Sequence, residues 1–165
     1  MAVIDNAFET KGSHLYFVDS LTTTDPTVTQ LSCPTGITGV NGGTKDTIDT
    51  TCLSNITSKR TSIGGFADTS DVSVPFILYA GDGSHQALFT LQEANSQVNW
   101  MVGLSDSANA PTVDTDNLLV PPPDRTTFQF DATISNLTID LATNEVVRGT
   151  MTLKPSGATT VHWAV

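Results

Sequence analysis

The 165-residue chain is long enough to bury one hydrophobic core and too short to divide comfortably into two. Only 15% of its residues are charged, against roughly 25% in an ordinary soluble domain, and Thr, Ser, Asn and Gly take over the surface. A net charge of -10 excludes a phosphate-reading nucleic-acid binder, because the seven basic residues are scattered and only Lys59-Arg60 are adjacent.

Met1 to Thr10 carries Asp5 and Glu9 and shows no basic segment followed by an apolar one, so the expectation is synthesis without a secretory signal. No apolar run reaches membrane-spanning length. His14 to Val18 and Thr27 to Cys33 read as a hairpin across the Thr-rich turn containing Asp25-Pro26. Gly36 to Val40 fits a short strand, ended by Asn41-Gly42-Gly43. From Thr44 to Ser70 no periodicity is sustained, and the expectation is a long polar loop. Loops of that length are uncommon in a small domain unless they carry a function.

Val72, Val74, Phe76 and Leu78 alternate, marking a strand with one buried face, and Pro75 places it at an edge or bulge. Ser84 to Ala94 is the one helix candidate, with Ser84 as its cap and Ala87, Leu88, Leu91 and Ala94 as an apolar stripe. Asn95-Ser96 ends it. Val98, Trp100, Val102 and Leu104 then alternate. Ala108 to Asp124 is an irregular connection stiffened by Pro111 and Pro121-Pro122-Pro123. Phe128, Phe130, Ala132 and Ile134 alternate, and Leu137, Ile139 and Leu141 continue out of phase, so a bulge is expected near Ser135-Asn136. Val147 to Leu153 returns as a hairpin through Ala142-Thr143-Asn144, Pro155 to Thr160 reads as a linker, and Val161 to Val165 as a terminal arm bearing Trp163. Phe76, Leu88, Trp100, Phe130 and Met151 are expected to meet between sheet and helix.

Chemistry is sparse. Gly81-Asp82-Gly83-Ser84-His85 is not a nucleophile elbow, and a helix cap accounts for Ser84. Asp114, Asp116 and Asn117 lack the Gly and distal Glu of a calcium loop. His14, His85 and His162 have no zinc spacing, and Cys33 and Cys52 read as buried thiols. The expectation is no catalytic, cofactor or metal site.

The order of elements carries a resemblance: Lys11-Gly12 before the first strand, Ile48-Asp49-Thr50-Thr51 leading into the long loop, Val72 to Tyr79 running to Gly81-Asp82-Gly83, then the helix, Asn99 to Leu104, and Phe128 to Lys154. It resembles the major tail tube proteins of lambda-like long-tailed bacteriophages. That resemblance implies a mainly β fold, a β-sandwich or barrel with one flanking α-helix, forming one domain over residues 1–165 with an N-terminal arm 1–12, an assembly loop 44–70 and a C-terminal arm 155–165. It further implies a structural virion protein, assembled in the host cytoplasm into stacked hexameric rings. Its partners would be other copies of itself, a tape-measure protein in the lumen, tail terminator and distal tail proteins at the ends, and passing DNA without specific binding, with no membrane contact. Ile48, Ile56, Ile63 and Phe66 are the expected apolar anchors between subunits, Asp46, Asp49, Lys59 and Arg60 the polar ones, and Phe8 and Trp163 the contributions of the two arms. Two alternatives stay open on the residues: a related tube or terminator subunit, such as that of a type VI secretion system, and a secreted pilus or adhesin module.

Overall fold

The computed structural model describes residues 9–21, 25–52 and 59–165. Within them the chain forms, in order, β1 (His14–Asp19), β2 (Thr27–Gln30), β3 (Gly43–Asp49), β4 (Ser62–Thr69), β5 (Val72–Ile77), α1 (Gly83–Ala94), β6 (Val98–Gly103), β7 (Thr112–Val113), β8 (Leu119–Val120), β9 (Thr127–Asp140) and β10 (Arg148–His162). Six strands make one antiparallel sheet in the order β2-β1-β6-β9-β10-β5. Among the described residues β3 pairs only with β4, and β7 only with β8.

The sheet curls over α1, and the main core fills the space between them. Phe17 of β1 stands opposite Trp100 of β6, which stands opposite Phe130 of β9, so one row of aromatic side chains crosses three strands. The Phe17 and Trp100 rings lie 5.0 Å apart, and the buried Trp100 indole N–H donates to the Ala132 carbonyl at 3.1 Å. Phe76, Leu88 and Met151 join the same cluster, as the alternation predicts. β6 is buried along its whole length. On its other face Tyr16, Val18, Met101 and Leu119 form a second, smaller cluster beneath the β7–β8 hairpin. That tiny hairpin is the order inside the connection read as irregular, and Asp114 tightens its turn by accepting from Asp116 N and Leu118 N at 2.9 Å each.

The expected bulge lies in β9, where Ile134 faces Leu153 and Asn136 faces Thr152, leaving Ser135 as the extra residue. Several sequence readings need correction. Gly36 to Val40 is not a strand: the segment forms isolated bridges, Pro34 to Phe76 and Thr38 to Ser73, and straps the edge of β5. Pro75 permits this, since its carbonyl accepts from Thr35 N at 2.8 Å while it has no amide to satisfy. Residues 155–160 are not a linker, nor is the tail from Val161 a free arm, because β10 runs on to His162. Gly157, at φ 86°, lets the surplus residues bulge out before pairing resumes at Thr160 opposite Gln129. The helix starts one residue early, and its cap is Asp82 rather than Ser84. Cys33 and Cys52 are exposed free thiols, because each sits in a connection outside the packed strands. Ala94 is also exposed, so the buried stripe of α1 stops at Leu91.

Arg125 had no signal in the periodicity. It is fully buried, and its five N–H groups reach neutral oxygens: Nε donates to Leu104 O at 2.7 Å, Nη1 to the Tyr16 hydroxyl and Asn109 O at 2.9 Å, and Nη2 to Gly12 O and Gly103 O at 3.1 and 3.2 Å. Gly103 makes the room, since a Cβ there would lie 2.6 Å from Nε.

Two expected outcomes follow from this packing. Trp100→Ala removes the middle of the aromatic row and should cost roughly 3 to 5 kcal/mol in denaturant unfolding. Arg125→Leu strands buried acceptors without adding a donor, and should cost roughly 3 kcal/mol or more by the same measurement.

Candidate functional site

The predicted loop 44–70 is, in its described part, a β-hairpin. Every residue of β3 is exposed, so no face had to be apolar and no alternation could mark the strand in the sequence. The root is tightly built: Ser70 N donates to Gly42 O, Ser70 Oγ to Gly39 O, and Thr69 Oγ1 to the Pro155 carbonyl. Gly43, at φ 148°, lies so close to the facing strand that a Cβ would fall 2.1 Å from Asp68 O. Beyond the root the arm is held by its own ladder, extended by Thr50 N to Thr61 O and Thr61 N to Thr51 Oγ1.

The arm collects most of the predicted anchors. Ile48 and Ile63 are direct cross-strand partners, 53% and 56% exposed. Lys45 faces Ala67 and Thr47 faces Gly64, so Gly65 and Phe66 share the place opposite Asp46, a bulge that leaves Phe66 92% exposed. Asp49 and Arg60 lie 3.9 Å apart, both exposed. Hydrogen bonds from Thr51, its hydroxyl first, hold the Asp49 carboxyl below its ordinary range. Lys59 lies beside Arg60, exposed. Phe8 and Ile56 fall outside the described residues. Trp163 is 71% exposed but belongs elsewhere, on a tail fixed by Ala164 N to Thr126 Oγ1 and Val165 N to Pro123 O.

Among the described residues, the cluster that could suggest catalysis is a helix cap. Asp82 accepts from Ser84 N, His85 N and the hydroxyls of Ser84 and Ser32. His85 is buried with Nε2 against Ser32 O at 3.1 Å and Nδ1 against Tyr79 N at 3.2 Å. Both ring nitrogens are occupied by backbone, so His85 offers Ser84 no base. Among the described residues, no three His, Cys, Asp or Glu side chains gather as a metal site, and no helix is long and apolar enough to cross a membrane.

The profile of the lambda-like phage tail tube family matches residues 6–165. The chain belongs to that family. Structural protein 3 of Pseudomonas phage PAJU2 is 28% identical over 157 residues, covering 93% of this chain and 92% of that protein. The fold is shared with the sheath/tube terminator of the extracellular contractile injection system PVC in its extended state, at TM-score 0.67 and 10% identity over 98% of this chain and 100% of the other. It is shared too with the SPP1 tail tube, at TM-score 0.63 and 11% identity over 94% and 79%.

The protein is therefore a structural subunit of a phage tail tube and part of the virion. In a tail tube subunit the Asp82 cluster has a plain task, joining the start of α1 to the end of the β1–β2 hairpin through Ser32. Hydrogen bonds, first from the Ser84 hydroxyl and then from the Ser32 hydroxyl, lower the Asp82 pKa from 3.8 to about 2. A depressed folded-state pKa stabilises above the unfolded value, and that stability is lost as pH falls through the folded one. Asp82→Asn should therefore flatten the decline in melting temperature between about pH 4 and pH 2, whereas Asp82→Ala should cost about 1 kcal/mol at neutral pH.

Proposed function

We propose that this subunit forms head-to-tail rings, hexameric as the family resemblance implies, and that the β3–β4 arm joins each ring to the next. The observation that carries the reading is the arm itself. A well-paired hairpin stands off the domain with Ile48, Ile63 and Phe66 exposed, left uncovered by the rest of the described residues. Exposed apolar groups rimmed by polar ones mark a contact surface, and a heterologous contact generates repeats rather than a closed pair.

The finished tube carries DNA outward and is filled beforehand by a tape-measure protein. The net charge of -10 supports passage without retention, because a basic lumen would bind phosphates. Likeness to a sheath/tube terminator supports a capping partner of related fold at the tube's end. The subunit has no turnover of its own, which the Ser84 hydroxyl held by Asp82 and the backbone-bound His85 support.

Replacing residues 46–66 with a short Gly-Ser turn is the direct test. The remaining domain should keep its circular dichroism and melting temperature, while electron microscopy should find rings or monomers in place of tubes. Tubes of ordinary length from that variant would remove the arm from the stacking contact.

A further inference from the structure

The strap that crosses the edge of β5 leaves a groove of about 550 Å³ between itself and the sheet. Its walls are apolar, formed by Ile37, Val40, Val102, Leu104 and Phe128, and among the described residues Lys11 is the one ionisable group lining it. We infer that this groove receives the apolar face of the β3–β4 arm from a second copy of the chain. The inference rests on the stacking role proposed above and names the surface that the arm meets.

The register of the arm supplies the argument. Alternation places Thr44, Asp46 and Ile48 on one face of β3, and pairing adds Ile63 opposite Ile48 and Asp68 opposite Thr44. That face therefore carries two isoleucines and two carboxylates. Lys45 and Asp49 fall on the other face, where Asp49 has Arg60 for company. An acidic, apolar surface thus exists in the same chain as a basic-rimmed, apolar groove, and the two are complementary in both respects. They cannot meet within one subunit through the arm's own root, because the strap runs directly through Gly39 to the arm at Gly43, putting the groove at its foot. Ile48 lies five residues beyond Gly43, about 17 Å up the arm at the usual strand rise. A site and its counter-site displaced along one axis form an open, repeating contact, which is the relation that stacking requires.

The test uses the full chain with Cys33→Ser and Cys52→Ser to clear the native thiols. With Ile63→Cys on the arm and Thr38→Cys on the strap, mild oxidation of assembled tubes should give a ladder of covalent oligomers, and unassembled subunits should give none. Lys11→Glu should abolish or shorten tubes, and Lys11→Glu combined with Asp46→Lys should restore them, with circular dichroism confirming that each variant is folded. Tubes that form normally with Lys11→Glu and give no ladder would overturn the groove assignment. If the arm replacement still blocked tubes, the stacking role would survive that failure. A Thr38→Cys crosslink to Phe8→Cys, in place of Ile63→Cys, would put the chain's own N-terminal segment in the groove and equally overturn the inference.

Discussion

The fold depends on a buried guanidinium that is satisfied without an anion. Arg125 uses its five donors on four carbonyls and one phenol, drawn from the N-terminal segment, β1, the end of β6 and the loop beyond it. Desolvating a cation is costly, and only a full set of hydrogen bonds offsets it. The arrangement is therefore intolerant of partial change: the segments must all be in place for the charge to be buried at all. Its guanidinium carbon also lies over the Tyr16 ring, 5.5 Å from the centroid, which ties the hydrogen-bond node to the smaller core cluster. The cation's field adds to burial in lowering the His14 pKa, so its influence extends along β1.

Around that node the molecule separates a packed sheet from an arm that stands outside both cores. Strands β1, β6, β9, β10 and β5 are committed to the two cores, and β6 in the middle is covered on both faces. The β3–β4 arm contributes to neither core and is tied to the domain at its root. An element that adds nothing to the core can present apolar groups to a neighbour without weakening its own subunit. The low charge of the chain serves the same end, since hydroxyl-rich surfaces lose less on desolvation than Lys- and Glu-rich ones.

Legibility followed burial on one face. Val72, Val74 and Phe76, or Phe128 through Ile134, alternate because one side of the strand meets the core and the other does not, and the phase change at Ser135 was visible for that reason. β3 and β4 were invisible because solvent lies on both of their faces. The strap at 34–38 misled in another way: it has strand-like residues and makes real bridges to β5, but Pro34 and the turn at Gly39 keep it from forming a continuous ladder. Ile48, Ile63 and Phe66 were singled out by apolarity in a polar stretch, without the hairpin that exposes them.

By itself the sequence determined the strand faces, the helix, the bulge in β9 and the aromatic core, because each is written in short-range periodicity that the backbone geometry must obey. Tertiary structure decided what periodicity cannot carry. Arg125 is an isolated cation in a proline-rich stretch, and only the convergence of four distant segments makes it the centre of a hydrogen-bond node. Asp82, two residues before Ser84, became the cap because Ser32, fifty positions away, completes its set of donors. The pairing of β3 with β4 was likewise settled by backbone hydrogen bonds, which any exposed, Thr-rich segment can form and no side-chain pattern announces.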